Sequence, residues 1–181
     1  MKKIFVLLLS VLSVYAANAQ KYISKNGHVS FYSSTPIENI EANNNQAASI
    51  LDAPTGELVF NVLIKSFEFK NALMQEHFNE NYMESDKFPK ASFKGKITNI
   101  SAVGFSKDGS YNVDVTGDLT IHGVTKPVTA KGSISVKGET VSAESKFVVQ
   151  PSDYNIQIPK LVEGKIAKQI EVRIDLTYSK M

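Results

Sequence analysis

The clearest structural signal in the chain lies in residues 111–136, which read YNVDVTGDLTIHGVTKPVTAKGSISV. Apolar or small residues alternate with polar ones on both sides of the central His122-Gly123 pair. A period of two places successive side chains on opposite faces of a strand, so each half predicts a strand with one buried face. Gly123 supplies the positive φ that a tight turn requires. The segment therefore predicts an antiparallel hairpin.

The same alternation recurs along most of the remaining chain. At its C-terminal end, the apolar residues from Ile170 to Tyr178 alternate with charged and polar ones. Shorter predicted strands lie around Val29 and Phe31 and at 37–42, 47–52, 58–64, 91–97 and 141–147. Turns are predicted at 43–45, 54–56, 107–109 and 137–138, and Asp108-Gly109 and Lys137-Gly138 each indicate a tight hairpin connection.

One segment, residues 71–85, departs from this alternation. Its larger apolar residues and its histidine are spaced by one, three and four positions, which is helical periodicity: Leu73, Met74, His77, Phe78, Tyr82 and Met83. Asn71 is a predicted N-cap, and Pro89 is predicted to end the helix. A second, weaker helical or irregular stretch is predicted at 158–168.

Eight or nine antiparallel strands with a single helix predict a sandwich or a barrel. Closure removes exposed strand edges, so we favour an all-β antiparallel barrel of about eight strands with one short helix at about 71–85. A barrel of this size has an interior that side chains just fill or that holds one small ligand.

The N-terminal residues have the layout of a secretory signal peptide. Lys2 and Lys3 precede an apolar run at 4–14, and Ala17-Asn18-Ala19 supplies a cleavage pattern of small residues. The alternative is a membrane anchor, but the run is about eleven residues long against the roughly twenty that span a bilayer. We therefore predict a signal peptide at 1–19 cleaved after Ala19, a single domain at 20–181, and a periplasmic or secreted location without stable membrane insertion.

Composition excludes several classes of function. The chain has no cysteine, which rules out disulfides, thiolate catalysis and cysteine-ligated metals. Without Lys2 and Lys3, its 20 lysines and arginines fall to 18, equal to its 18 aspartates and glutamates. The basic residues do not cluster, so we predict no nucleic-acid partner.

The predicted inward face contains many small residues: Ala91, Gly95, Gly117, Ala130, Gly132, Ala143 and Ser145. One interpretation is that they leave an apolar void, which would be costly if empty and therefore suits an apolar guest. The other is that the glycines permit bends at barrel corners. The first predicts that Gly132→Phe blocks uptake of an apolar guest while the barrel stays folded.

The residues that carry chemistry show no catalytic arrangement. The three histidines, His28, His77 and His122, lack metal-ligand spacing, so no metal is predicted. His122 is assigned to the turn, and Tyr154 and Gln157 are candidates for the barrel mouth. Several acidic residues fall on the polar faces: Asp114, Asp118, Glu144, Glu171 and Asp175. We therefore predict no enzyme, against two alternatives: an enzyme acting on a lipophilic substrate with His77, or a packed structural or interaction domain without ligand.

Two motifs resemble signatures of the YceI-like family. Residues 77–93, HFNENYMESDKFPKASF, place a histidine about a dozen residues before an aromatic-Pro-x-x-x-Phe sequence, and residues 117–128, GDLTIHGVTKPV, resemble the family's hairpin. The order and spacing of the motifs also match, most closely those of short exported members from Bacteroidetes-type bacteria. The Asn-rich loop at 43–46 departs from longer members.

The resemblance implies a lipocalin-like barrel whose tunnel binds, stores or transports a polyprenol, an isoprenoid quinone or a similar amphiphile. This lipid would be a ligand, not a cofactor, bound to a monomer or homodimer. His77 would either hydrogen-bond a quinone head group or hold the helix on the barrel, and helix residues would form a lid. The expected ligand-binding residues, each with ordinary core packing as the alternative, are Phe31, Phe60, Val62, Leu73, Met74, His77, Phe78, Phe93, Val113, Val115, Leu119, Gly132, Ile134, Phe147 and Ile174.

Overall fold

The computed structural model describes residues 20–181, and nine antiparallel strands form its framework. The strands are β1 (Lys21–Ser34), β2 (Asn39–Asp52), β3 (Glu57–Leu63), β4 (Glu68–Phe69), β5 (Lys90–Ile97), β6 (Gly109–Ile121), β7 (Val124–Lys137), β8 (Thr140–Val149) and β9 (Ile170–Lys180). Eight of them follow the order β1-β9-β8-β7-β6-β5-β3-β2, and β2 pairs back with β1. This confirms the predicted closed, lipocalin-like barrel. The predicted signal peptide at 1–19 lies outside the described residues.

The hairpin at 111–136 forms as predicted. Strands β6 and β7 pair without a register shift from Ile121 opposite Val124 to Gly109 opposite Val136. The two turn residues both have positive φ, 50° at His122 and 74° at Gly123. Two successive left-handed residues fit the right-handed twist of the flanking strands, which is why a two-residue connection suffices here.

The prediction of two short strands around an Asn-rich turn is wrong. Residues 37–42 and 47–52 fall largely within the single strand β2, and residues 43–45 lie in its middle. The buried Asn44 explains the difference: its Nδ2 donates to the Leu63 carbonyl at 2.9 Å, and its Oδ1 accepts from the Gln46 N–H at 2.8 Å. This side chain supplies hydrogen bonds where register shifts interrupt the β1–β2 ladder near Gly27, so the strand bends without ending.

The predicted tight hairpin at Asp108-Gly109 is also wrong. Strands β5 and β6 begin their pairing at Ile97 opposite Val115, and residues 98–108 form a loop that contains a short 3-10 helix, Ile100–Ala102. Asp108 instead accepts a hydrogen bond from the Gly138 N–H at 2.8 Å. It thereby supports the β7–β8 turn, which does form as a two-residue connection.

The predicted helix is real but shorter than its periodicity suggested. Helix α1 spans Ala72–His77 and continues as a π-helical turn, Phe78–Tyr82. The N-cap is confirmed, because Asn71 accepts hydrogen bonds from the N–H groups of Leu73 and Met74. The helix ends before Glu84, whose φ is 43°, so Pro89 does not terminate it. Residues 158–168 are irregular apart from the 3-10 helix Lys160–Val162, as predicted.

One end of the barrel, where β1 begins, is filled by side chains. Tyr22 stacks on Phe105 with 5.2 Å between ring centroids. Buried residues from the strand ends complete this closed end: Leu51, Ile97, Val136, Val141, Leu176 and Tyr178. The buried hydroxyls of Ser49 and Tyr178 are 2.7 Å apart and hydrogen-bond each other, so neither polar group is left without a partner. The opposite end, where β1 ends, is called the open end below.

The Ser49–Tyr178 pair makes the stability of the fold decrease with pH in the alkaline range. Burial raises the pKa of Tyr178 from 10.0 to about 12, and the Ser49 hydrogen bond opposes the rise. Because the folded-state pKa lies above the unfolded one, this stabilisation is complete below pH 10 and is lost as the pH rises to about 12. We expect the free energy of unfolding to fall by about 1.4 kcal/mol per pH unit in this window. Tyr178→Phe should remove that part of the slope in guanidinium titrations.

Tyr178→Phe also leaves the Ser49 hydroxyl without its partner, which should lower stability at pH 7.5 by about 1–3 kcal/mol. Ser49→Ala/Tyr178→Phe serves as the matched control, since removing both polar groups should recover most of this loss. An unchanged alkaline slope in Tyr178→Phe would show that other groups control it.

Candidate functional site

A cavity of about 540 Å³ occupies the barrel between the closed and the open end. Its lining comes from the inward faces of the strands, from α1 and its π turn, and from residues between 151 and 166. Inward residues such as Val115, Phe147 and Val172 are only half-buried, because they face this space and not one another. The volume is within the roughly 300–1,000 Å³ typical of small-molecule pockets. The interior is therefore not fully packed.

Every predicted ligand-binding residue lies on the lining of this cavity: Phe31, Phe60, Val62, Leu73, Met74, His77, Phe78, Phe93, Val113, Val115, Leu119, Gly132, Ile134, Phe147 and Ile174. Some of them also belong to the packed core, notably Val113 and Ile134. Their contact with a ligand stays a prediction. Alternation correctly identified the inward faces of β6, β7 and β9.

The small inward residues occupy two different environments. Ala91, Ala130, Gly132, Ala143 and Ser145 line the cavity. Gly95 and Gly117 do not, because they lie opposite each other and leave no free space. A Cβ on Gly117 would lie 2.5 Å from the Gly95 Cα and 2.7 Å from the Phe93 ring. These two glycines permit a close strand approach that the Phe93 ring covers, and the β5–β6 register is continuous through them.

The expectation that Gly132→Phe leaves the barrel intact is wrong. A Cβ at Gly132 would lie 2.6 Å from the Glu144 carbonyl oxygen, a backbone atom of the neighbouring strand. Any side chain there must displace β8. A loss of lipid uptake in this variant could therefore come from a distorted barrel as well as from a filled cavity. Ala130, two residues earlier on the same face, already carries a Cβ and faces the cavity.

A cluster of four phenylalanines attaches the helix to the barrel at the open end. Phe78 packs against Phe31, Phe67 and Phe69, and the ring centroids in the cluster are 5.0–5.8 Å apart. Leu73 lines the cavity yet is 57% exposed. The helix therefore covers part of the open end while leaving its outer turn in solvent.

The histidines have three different environments. His77 is exposed, lines the cavity, and makes no side-chain hydrogen bond within residues 20–181, so Phe78 and not His77 holds the helix in place. His28 Nδ1 lies 2.8 Å from the Asn45 Oδ1. Over the same residues, no group of three histidines, aspartates or glutamates is placed to hold a metal ion.

His122 does more than form a turn. Its Nε2 is 2.8 Å from the Glu84 carboxylate, its Nδ1 is 3.1 Å from the Tyr154 carbonyl, and its ring meets Phe88 edge-on. The side chain is only 9% exposed. It joins the β6–β7 hairpin to the segment after the helix and to the 3-10 helix Pro151–Tyr154. Glu84 and Tyr154 are 38 and 32 residues away, so no local spacing indicates these contacts.

His122→Asn should lower the free energy of unfolding by about 2 kcal/mol, because it removes two polar contacts while keeping a residue that tolerates positive φ. A double-mutant cycle with Glu84→Gln, measured by denaturant unfolding, should give a coupling of about 1 kcal/mol. Lys87→Ala is the control: it removes an exposed 3.8 Å ion pair with Glu84 and the contact of the Lys87 ammonium with the Phe88 ring, 4.9 Å from its centroid, and should change stability by less than about 1 kcal/mol. A coupling near zero would mean that the two side chains act independently.

The segment after β8 supplies several lining residues, of which the sequence had indicated only Tyr154. Tyr154 is buried and lines the cavity, and burial raises its pKa, with a smaller contribution from Asp153. Gln157, its companion candidate, is exposed and does not line the cavity. The additional apolar lining residues here are Ile156, Ile158, Val162 and Ile166. The Ile-x-Ile spacing at 156–158 could have indicated that this segment turns an apolar face toward the interior.

A closed antiparallel barrel with an apolar cavity defines the lipocalin-like class of β-barrel folds. Within this class, the chain belongs to the YceI-like family: the model of the YceI-like domain matches residues 20–178. The two sequence motifs at 77–93 and 117–128 fall inside the matched range. Within residues 20–181, no helix has the length and apolar character needed to cross a bilayer.

Solved structures share the fold at low sequence identity. A polyisoprenoid binding domain from Saccharophagus degradans, implicated in plant cell wall breakdown, has a TM-score of 0.77 at 14% identity, covering 90% of this chain and 99% of that one. BcnA from Burkholderia cenocepacia has a TM-score of 0.68 at 18% identity, covering 83% and 95%.

Curated relatives match over shorter lengths. A UPF0312 protein from Pseudomonas fluorescens is 35% identical over 80 residues, which is 44% of this chain and 39% of the relative. Protein YceI from Escherichia coli is 28% identical over 99 residues, 51% of this chain and 48% of the relative. These alignments span half or less of either relative's length.

Proposed function

We propose that this protein binds a long apolar isoprenoid-type lipid, such as a polyprenol or an isoprenoid quinone, and stores or transports it without catalysis. The observation that carries the proposal is the apolar cavity of about 540 Å³, closed at one end by packed side chains. The shared fold of the Saccharophagus degradans polyisoprenoid binding domain supports it.

The energetics of such a site favour a chain over a compact polar ligand. Each buried methylene contributes about 0.8 kcal/mol, so one isoprene unit contributes roughly 3 kcal/mol before ordering costs. A few units therefore give tight binding. The predicted ligand-binding residues named above would contact the chain, and His77, exposed at the open end, would meet the polar head group.

The described residues favour binding over catalysis. His77 is the single histidine on the cavity lining and has no carboxylate partner within residues 20–181. Glu38, at the open end, lies 4.0 Å from Lys165. The acidic residues of the strands belong to the outward register, as the exposed Asp114 and Asp118 illustrate, and the exposed Glu144 also contributes to the cavity lining. Within residues 20–181, no hydrogen bond or ion pair joins His77 to Glu38 or Glu144, which favours binding over general acid–base catalysis.

Two measurements test the proposal. Protein purified from its own host should release an isoprenoid lipid on solvent extraction, and native mass spectrometry should show the matching mass increase. Delipidated protein should bind all-trans-retinol, a fluorescent isoprenoid alcohol, with a rise in fluorescence. Absence of both the co-purifying lipid and retinol binding would contradict the proposal.

Export is part of the proposal and rests on residues 1–19. N-terminal sequencing of the protein from the periplasm or the medium should begin at Gln20. Sedimentation should give a monomer or a homodimer.

A further inference from the structure

The barrel wall is split between β7 and β8 near the open end. Their ladder runs from Lys137 opposite Thr140 to Lys131 opposite Lys146 and stops there. On their other edges, β7 stays paired with β6 as far as Val124, and β8 stays paired with β9 as far as Val149. Residues 124–130 and 147–149 thus face each other without pairing. We call this gap the slit.

Two features of the sequence accompany the end of the ladder. Lys131 and Lys146 form its last pair, and the Lys146 ammonium makes a 2.6 Å ion pair with Glu171 of β9, which ties this part of β8 to β9 and not to β7. In β7 the odd-numbered residues direct their backbone groups toward β8, because Lys137 and Thr140 flank a two-residue turn. Pro127 is one of them and has no N–H, so β7 lacks a donor where the slit lies.

A comparable gap on the other side of the barrel is bridged. The β2–β3 ladder ends at Ala48 opposite Asn61, before the open end. There β4 pairs with β2 at Ala42 and Asn43, and the Asn44 side chain bonds the Leu63 carbonyl. Over residues 20–181, no strand pairing crosses the slit. The side-chain contacts beside it lie at its two ends: the Ser145 hydroxyl donates to the Lys131 carbonyl at 2.9 Å where the ladder stops, and the His122 Nδ1 lies 3.1 Å from the Tyr154 carbonyl at the open end.

Tyr154 fills the slit. The ligand cavity on the inside and a groove of about 350 Å³ on the outside share three lining residues, Val128, Val149 and Tyr154. Tyr154 is 3% exposed and ends a single 3-10 turn, and the following Asn155 has a φ of 57°. Its carbonyl lies 3.1 Å from the His122 Nδ1. The separation between the cavity and the outer groove thus depends on the short 3-10 turn that ends at Tyr154, and the contact with His122 supports this turn.

We propose that the slit is a side entrance to the cavity and that Tyr154 is its gate. This inference rests on the proposed lipid-binding function. Opening requires no ladder hydrogen bond to break, whereas passage beneath the helix would disrupt the four-phenylalanine cluster. Because the slit reaches the open end, an apolar chain can enter sideways while its polar head group stays in water. This avoids the cost of moving a polar group through an apolar interior.

The absence of native cysteines makes a cross-link test direct. Thr129 and Val148 are exposed and would be the next outward pair beyond Lys131 and Lys146. In Thr129→Cys/Val148→Cys, oxidation should slow retinol association by about tenfold or more, and dithiothreitol should restore it. The matched control is Ser135→Cys/Ser142→Cys, which joins the same strands where they are already paired and away from the cavity lining, and its oxidation should leave the rate unchanged.

Tyr154 variants test the gate without a cross-link. Tyr154→Ala should speed both association and dissociation of retinol by about fivefold or more, whereas Tyr154→Phe keeps the ring and should resemble the wild type. Unchanged rates in Tyr154→Ala, or fast association in the oxidised 129–148 variant, would overturn the side entrance while leaving lipid binding intact. Failure of the unmodified protein to bind retinol at all would instead overturn the proposed function, and the entrance with it.

Discussion

Ala130→Phe is expected to weaken retinol binding by about a hundredfold while the barrel stays folded. Ala130 lies on β7, points inward opposite Val115, and lines the cavity without belonging to the packed core. A phenyl ring at this position occupies space that the ligand would use. Displacing about four methylenes at about 0.8 kcal/mol each removes roughly 3 kcal/mol of binding free energy, which corresponds to the hundredfold loss.

Ala48→Phe is the matched control for this change. Ala48 is exposed on the outer face of β2, so the same substitution adds a ring that does not enter the cavity. Retinol titrations should give the wild-type dissociation constant for Ala48→Phe, and the far-ultraviolet circular dichroism of both variants should match the wild type. Wild-type affinity in a folded Ala130→Phe protein would place the ligand outside this part of the cavity.

Gly117→Val should produce the largest loss of stability, about 3 kcal/mol or more. A Cβ at Gly117 would lie 2.5 Å from both the Gly95 Cα and the Lys94 carbonyl oxygen, and these are backbone atoms of the adjacent strand. The clash can be relieved only by separating β5 from β6, and the Phe93 ring would also lose its position over the two glycines. Guanidinium unfolding at neutral pH measures the effect.

Thr116→Val is the control for the Gly117 substitution. The neighbouring Thr116 lies on the opposite, polar face of β6, so its replacement changes no inward contact. Its free energy of unfolding should stay within about 0.5 kcal/mol of the wild type. If Gly117→Val were as stable as this control, the strands would have to tolerate a side chain at their closest approach, contrary to the structure.

The sequence predicted those elements whose causes are local. The β6–β7 hairpin follows from alternation and from Gly123, and the start of α1 follows from the Asn71 cap. The N-terminal strands were mispredicted because the Asn-rich stretch reads as a turn. Asn44 is instead accommodated inside β2 by the Leu63 carbonyl, which is 19 residues away.

The cavity was harder to predict than the faces that surround it. Alternation identifies which side chains point inward, but not whether opposite walls of the barrel meet. Gly117 and Ala130 illustrate this limit: both are small and inward, yet Gly117 lies under the Phe93 ring and Ala130 lines the cavity. The contacts of His122 with Glu84 and Tyr154 likewise depend on the closed barrel, and no periodic pattern in the sequence indicates them.

The filled end near Leu51 and Tyr178 has a consequence for selectivity among lipids. Because the cavity is closed at this end, the additional carbons of a longer lipid tail would extend from the open end, where they would be exposed to solvent. The affinity for a lipid should therefore rise with its tail length until the tail fills the cavity, and it should stay constant for longer tails. With the proposed lipid-binding function, the protein would therefore distinguish short tails from long ones but would not distinguish among tails longer than the cavity.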